Sequence, residues 1–167
     1  TPKNMSLARA ICTVHVCISK IAQQHPWVPF RWQLSQVFSV ELGAPLPLNS
    51  DEHEWGQADV TLFEDEADGY YLNCTATTPA WFVHYRLDEE LGSEARPELR
   101  FVTLSYNEAG HILDAGELVE NVPIDDDTGR WLAEFAEKHF KPEPRKRRRP
   151  ASFVAPAKRG NMGGGNE

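Results

Sequence analysis

Cysteine and long apolar runs are what this sequence of 167 residues has least of. Its three cysteines, Cys12, Cys17 and Cys74, are odd in number and too few for the disulfide framework of a small secreted domain, so we predict reduced thiols. Every apolar run is far shorter than the roughly 18 residues that a transmembrane helix needs, and no segment resembles a signal peptide. These absences predict a cytoplasmic protein without a membrane span.

The sequence also lacks the residue spacings that are typical of metal and catalytic sites. It contains no C-x-x-C or H-x-x-x-H pair, and no glycine-rich phosphate loop stands between a strand and a helix. Its acidic runs lack the spacing of an EF-hand and are typical of solvated turns and helix caps. Cys12 and Cys17 are five residues apart, so on a strand they point to opposite faces. We therefore predict no metal, no cofactor and no enzymatic activity.

One cysteine–histidine pair keeps a catalytic interpretation open. His15 and Cys17 share one face of the first predicted strand, where they fit either a nucleophile with its base or ordinary surface positions. A small-molecule or catalytic pocket, beside this pair or beside His84, is the corresponding alternative hypothesis.

Charge divides the chain into an acidic body and a basic tail. Residues 1–140 contain 9 Lys and Arg against 23 Asp and Glu, a net charge of −14, whereas residues 141–167 contain 8 against 2, a net charge of +6. The acidic body should repel nucleic acid and anionic lipid, so binding to either depends on the tail. The partner-binding candidates in the tail are five consecutive basic residues: Arg145, Lys146, Arg147, Arg148 and Arg149.

Three interpretations of this basic run compete. It fits binding to nucleic-acid phosphates, docking to an acidic protein partner, or weak association with the chain's own acidic body. No aromatic residue lies within the run, so stacking on bases is not indicated. The sequence leaves the three interpretations open.

Alternation of apolar and polar residues predicts a chain made mostly of β-strands. In the first strand the even-numbered positions from Cys12 to Ile18 are apolar and share one face. The second strand has a stripe, interrupted at Gln36, that consists of Trp32, Leu34, Phe38 and Val40. The predicted strands cover residues 12–20, 31–40, 59–63, 70–76, 80–87 and 99–106, with a further extended stretch at 118–124.

Two helical segments follow, and they complete the predicted fold. A helical turn is predicted within residues 107–117, and an amphipathic helix is predicted at 127–140 with Asp126 or Asp127 as its cap. Short connections without crossover helices predict antiparallel strands. The fold class is therefore mainly β, an antiparallel open barrel or sandwich of about six to seven strands closed by the C-terminal helix, in a pleckstrin-homology-like order.

The ends of the chain and one internal loop lie outside this pattern. Residues 11–140 form the predicted domain, residues 1–10 are predicted to be flexible, and the basic tail 141–167 is predicted to be disordered. The predicted loop at 43–57 places Trp55 in an acidic stretch, where it fits either a partner anchor or a cap on the barrel. Trp55 joins the basic run as a partner-binding candidate.

Several segments together resemble a known family. They are H-P-W-x-P-F-R-W at 25–32, the tyrosine-rich stretch at 70–88, the stretch R-F-V-T-L-S-Y-N-E-A-G at 100–110 with its continuation to 125, the helix W-L-A-E-F-A-E-K-H-F, and K-P-E-P-R-K-R-R-R-P. They resemble an uncharacterised bacterial family, a domain of unknown function found in gene clusters of molybdenum-dependent formate dehydrogenases. The likeness covers roughly residues 11–150, and only the loop at 43–57 departs from it.

The resemblance carries no catalytic residue, because no activity is established for that family. It implies a bacterial, cytoplasmic accessory protein. We therefore predict a non-enzymatic accessory or assembly protein whose partner is formate dehydrogenase or its maturation machinery. The alternatives are a nucleic-acid-linked regulator that binds through the tail, and a small-ligand-binding β-barrel.

Overall fold

The computed structural model describes residues 10–141, and the strands and helices within that range form one core. The strands are β1 Ile11–Ala22, β2 Phe30–Val40, β3 His53–Thr61, β4 Ala80–Arg86, β5 Glu98–Thr103 and β6 Val119–Pro123. The helices are α1 Ala67–Cys74, α2 Tyr106–Asp114 and α3 Asp126–His139, with short 3₁₀ segments at Glu64–Glu66 and Glu89–Glu94.

The strands form two three-stranded antiparallel sheets, with the orders β2-β1-β3 and β5-β4-β6. The predicted class, mainly β with antiparallel strands and a C-terminal helix, is confirmed. Within residues 10–141 the two sheets do not join into a closed barrel. Side chains from both sheets meet in the core, which is where apolar alternation directs them.

The two sheets repeat one topology. In each, the first strand along the chain lies in the centre, the second lies at one edge and the third at the other. Each central strand also has a bulge in its pairing with the second strand, between Cys17 and Ile18 in one sheet and between His84 and Tyr85 in the other. The bulges make these two residue pairs structurally equivalent. By the same register, Gly56 in β3 is equivalent to Glu120 in β6.

The bulge in β2 corrects the predicted face of that strand. Gln36 pairs with Cys17 and Leu34 pairs with Ile18, so Ser35 is an extra residue that shifts the alternation by one. Val37, rather than Phe38, therefore packs against the core beyond the bulge. Phe38 lies on the opposite face with His15. The interruption that Gln36 makes in the apolar stripe is thus the mark of a bulge.

The predicted strand at residues 70–76 is wrong, because residues 70–74 belong to α1 and residues 75 and 76 follow it in a turn. The buried residues of α1 are Ala67, Gly69, Tyr70 and Asn73, and their spacing is that of one helix face. The tyrosines favour a strand by propensity alone. Packing of α1 against α2 and α3 overrides that preference.

The C-terminal helix is confirmed to within one residue at each end, but its predicted cap is wrong. The Oδ2 atom of Asp125 accepts a hydrogen bond from the Thr128 N–H at 3.4 Å, and its Oδ1 accepts one from the Thr128 hydroxyl at 2.5 Å. Asp125 rather than Asp126 or Asp127 is therefore the N-cap. The predicted helical turn at 107–117 is the longer helix α2, which ends before Gly116 at φ +84°.

Predictions for the two ends of the chain fall outside the described residues. The flexible N-terminal segment, the disordered tail and the five basic residues Arg145–Arg149 belong to residues 1–9 and 142–167. Among residues 10–141, no helix combines the length and the apolar character that crossing a membrane requires.

Candidate functional site

The loop between β1 and β2 holds a tryptophan out in solvent. The Gln23 N–H and side-chain amide donate to the carbonyls of Pro29 and Val28, both at 2.9 Å. His25 Nδ1 accepts the N–H groups of Trp27 and Val28, both at 3.1 Å. These bonds order the loop backbone while the Trp27 side chain is 86% exposed. A large apolar side chain on an ordered loop has the character of a binding anchor.

Beside Trp27 lies a groove on the described part of the chain. Its volume is about 640 Å³, within the range of about 300–1,000 Å³ that is usual for ligand sites. The groove runs between the open edge of β2 and the ends of β4 and β6. Its main apolar and aromatic walls are Trp27, Phe30, Trp32, Tyr85, Leu87 and Leu118.

Glu120 closes the floor of the groove. Its Oε1 atom accepts the Leu34 backbone N–H at 2.7 Å and the Tyr85 hydroxyl at 3.0 Å. Burial, together with the negative charge of Glu120, raises the pKa of Tyr85 above its ordinary value. Tyr85 therefore stays neutral, and its hydroxyl donates a hydrogen bond to the Glu120 carboxylate. Glu120 thereby pairs a backbone donor at the open edge of β2, where the sheet offers no neighbouring strand.

The aromatic walls are held in place from behind. The indole N–H of Trp32 donates to the Ala95 carbonyl at 3.1 Å. Lys20 Nζ lies 4.2 Å from the ring centre of Phe30, and the Arg96 guanidinium lies 5.0 Å from that of Trp32. A groove whose walls are already fixed loses little conformational entropy when an occupant enters it.

An acidic rim borders the groove on the side of the Glu89–Glu94 segment. It consists of four exposed residues, Asp88, Glu89, Glu90 and Glu94, of which Glu89 lines the groove itself. The lining also includes one basic residue, Arg31. Asp88 Oδ1 accepts the Glu90 N–H at 3.1 Å and so caps this segment. An apolar groove with a negative rim is complementary to an occupant that combines apolar and basic residues.

A family model matches residues 13–149, and its description is "Protein of unknown function (DUF3305)". The chain belongs to this family. The predicted membership of an uncharacterised domain-of-unknown-function family is thus confirmed. The match to DUF3305 begins in β1 and ends at Arg149, so it includes every residue of the groove and the whole basic run. No curated protein and no solved structure matched the chain.

The prediction that Trp55 lies in a loop is wrong. It belongs to β3, which begins at His53, and its half-buried ring meets the Phe38 ring edge-on with centres 6.0 Å apart. β3 also passes very close to β5: a Cβ atom on Gly56 would lie 2.9 Å from Leu99 Cδ2. The predicted anchor is therefore part of a sheet face, and the exposed tryptophan of the DUF3305 domain is Trp27.

The predicted pair of His15 and Cys17 shares a strand face, but the two side chains have other partners. His15 Nε2 bonds to Gln57 Oε1 at 3.1 Å. Cys17 Sγ lies 3.8 Å from His53 Nδ1, which Ser19 Oγ contacts more closely, at 2.9 Å. Cys17 is only 2% exposed, so its thiol does not reach a substrate from this position. Among residues 10–141, no group of three or more His, Cys, Asp and Glu side chains is placed to hold a metal ion.

His84, the other histidine considered as a candidate pocket residue, belongs to a charged cluster on the outer face of the second sheet. Its Nε2 atom lies 2.9 Å from Glu117 Oε1, and Arg86 makes two bonds to the same carboxylate at 2.9 and 3.0 Å. The hydrogen bond from Arg86 has the largest effect on Glu117 and the one from His84 the second largest, and together they lower the pKa of Glu117 from 4.5 to about 2.

We expect this cluster to stabilise the fold only above strongly acidic pH. Because the folded-state pKa of Glu117 lies below its unfolded value, its contribution is complete above about pH 4.5 and disappears as the pH falls towards 2. Urea midpoints of the wild type and of Glu117→Gln should therefore differ at pH 6 and converge near pH 2. A difference that is the same at both pH values would contradict this assignment.

Sequence reasoning missed the groove as a site, although it singled out the segment that builds one wall. The H-P-W-V-P motif places Trp27 between two prolines that keep the chain extended, which is a local signal for an exposed side chain. The other walls come from residues 85–87 and 118–120, far away in the sequence. Of the predicted binding residues, Trp55 lies away from the groove, and Arg145–Arg149 lie outside the described residues.

Proposed function

We propose that this DUF3305 domain is a non-enzymatic accessory protein that binds a segment of a partner polypeptide in the groove beside Trp27. The observation that carries this proposal is the exposure of Trp27 on an ordered loop at the edge of a preformed aromatic groove. Exposed aromatic anchors next to apolar pockets supply much of the binding energy in protein interfaces.

The open edge of β2 supports a polypeptide as the occupant. β2 pairs only with β1 among the described strands, so its other edge faces the groove along Phe30 to Trp32. At Leu34 the backbone N–H of β2 already donates to the Glu120 carboxylate, so the part of the β2 edge that is open to an added strand ends there. An extended segment lying against β2 would gain main-chain hydrogen bonds as well as apolar contacts.

The charge of the site defines the partner segment further. With the acidic rim at one side and a body of net charge −14, the groove favours a segment that carries Lys or Arg beside apolar residues. Formate dehydrogenase subunits and their maturation proteins are the first candidates, on the strength of the gene-cluster resemblance described above.

The test is affinity capture from the native host with three versions of the full chain. Trp27→Ala removes the anchor, whereas Leu48→Ala is a matched control because Leu48 is 90% exposed and lies outside the groove. We expect the wild type and Leu48→Ala to recover formate dehydrogenase subunits or maturation proteins. Loss of the anchor should weaken binding by about 30-fold or more, as for an interface hot spot worth about 2 kcal/mol or more.

Equal recovery by Trp27→Ala and by the wild type would place the interface elsewhere and defeat the proposal. Both substituted residues are highly exposed, so the melting temperatures of the two variants should match that of the wild type. Equal melting temperatures would exclude unfolding as the cause of lost partner binding.

A small-ligand site is the second candidate function, and the groove volume favours it. Native mass spectrometry of the protein purified from its host distinguishes the two. A bound compound that is released on denaturation and is absent from Trp27→Ala would support this second function.

A further inference from the structure

We propose that the groove is occupied, in the absence of a partner, by the chain's own segment 145–156, R-K-R-R-R-P-A-S-F-V-A-P. This inference rests on the proposed function of the groove and adds a regulatory element to it: a partner must displace the segment before it can bind.

The chemistry of the segment matches that of the groove. Five basic residues at 145–149 are followed by Phe153, the only aromatic residue in 141–167, and by Val154. The groove likewise combines the acidic rim with aromatic walls. Phe153 would pack against Trp27, Phe30 and Leu118, which are accessible apolar residues of the groove, while the basic run lies along the rim.

The segment is long enough to reach the groove. The end of α3 is held by the Phe140 ring, which stacks on Tyr71 with ring centres 4.2 Å apart. α1 ends beside the start of β4, since Asn73 bonds to the Ala80 carbonyl. From there β4 leads to the groove over 7 residues, or about 23 Å at a rise of about 3.3 Å. The 13 residues from Phe140 to Phe153 span up to about 43 Å when extended, which exceeds this path even with another 10 Å for the width of the helices.

Tethering makes even a weak contact effective. A segment joined by a short linker has an effective concentration in the millimolar range, so it competes with any partner at lower concentration. Binding of a partner would then be weaker in the full chain than in a chain whose segment cannot enter the groove.

The first experiment measures access to Trp27 in the full chain. Trp32, Trp81 and Trp131 are buried and Trp55 is half-buried, so quenching of fluorescence by the neutral quencher acrylamide reports chiefly on Trp27. The test variant is Phe153→Ser/Val154→Ser, and the control is Ala157→Ser/Met162→Ser. We expect quenching of the exposed component to rise about twofold in the test variant only. A synthetic peptide of residues 143–157 should restore the wild-type value.

The second experiment tests the role of charge with two variants of equal net charge. Glu89→Lys/Glu90→Lys neutralises the acidic rim, because two lysines then balance Asp88 and Glu94, and Glu134→Lys/Glu137→Lys makes the same change of charge on α3. Only neutralisation of the rim should increase quenching of Trp27. Raising the salt concentration should increase quenching in the wild type and leave the rim variant nearly unchanged.

Equal quenching in the wild type and in Phe153→Ser/Val154→Ser would overturn the inference, and so would a difference that grows with protein concentration, because the occupant would then be the tail of a second copy. These results are separate from the test of function. If Trp27→Ala no longer binds the partner while the tail variants leave quenching unchanged, the proposed function is supported and the occupation of the groove by residues 145–156 is rejected.

Discussion

Gly69→Ala is expected to lower the free energy of unfolding by about 3 kcal/mol, at the upper end of what overpacking a core costs. A Cβ atom on Gly69 would lie 2.1 Å from the Ser105 hydroxyl oxygen and 3.1 Å from its Cβ. Ser105 cannot move away easily, because it is fully buried and caps α2 by accepting the Glu108 N–H at 3.1 Å. Its hydroxyl also donates to Glu66 at 2.5 Å. The methyl group would therefore separate α1 from the start of α2.

Gly110→Ala is the matched control for this substitution. Gly110 lies inside α2 with nothing within 4 Å of its added Cβ, so alanine there should stabilise the helix by about 0.5–1 kcal/mol. Urea unfolding followed by circular dichroism measures both changes. If Gly69→Ala were as stable as Gly110→Ala, the close contact between α1 and Ser105 would not exist in solution.

Asn73→Ala is expected to cost about 3–4 kcal/mol of stability, since it leaves several buried backbone groups without partners. The Asn73 side chain donates to the carbonyls of Ala80 and Leu104 at 2.8 and 2.9 Å and accepts the Ala80 N–H at 3.0 Å. It thereby joins α1 to the start of β4 and to the end of the β5 segment. No other described side chain bonds to these three groups.

Asn121→Ala provides the comparison for Asn73→Ala, because Asn121 is an exposed residue of β6. We expect its urea midpoint to stay close to that of the wild type. A small effect of Asn73→Ala, similar to that of Asn121→Ala, would mean that water or a shifted backbone replaces the three hydrogen bonds.

The repeated topology has a pocket of different size at each of its two equivalent seams: the groove of about 640 Å³ beside β2 and β6, and a smaller pocket of about 190 Å³ beside β3 and β5. Gly56 and Glu120 are equivalent positions of the two sheets, as are Leu99 and Leu34. Where β3 meets β5, the missing side chain of Gly56 lets Leu99 fill the gap. Where β2 meets β6, the Glu120 side chain stands between the sheets and bonds to the Leu34 N–H. The exchange of glycine for glutamate thus accompanies the difference between the small pocket and the large groove.

Local periodicity was sufficient to predict part of this fold. The alternation in β1 and β4 and the apolar stripe of α3 are repeated over many residues, and each pattern depends only on neighbours in the sequence. The helix α1 was assigned to the wrong class because its eight residues carry strand-favouring tyrosines and a weak stripe. Trp55 was misplaced because the strand that holds it begins within an acidic stretch typical of a loop.

By itself, the sequence determined the antiparallel β class, the C-terminal helix and the separation of charge between body and tail. These properties follow from the chemistry of adjacent residues. Only the tertiary structure decided which face of β2 meets the core, which carboxylate enters the groove floor, and how Trp27 comes to lie beside Tyr85 and Leu118. Those outcomes depend on the pairing of strands that are distant in the chain, and no local pattern encodes such pairing.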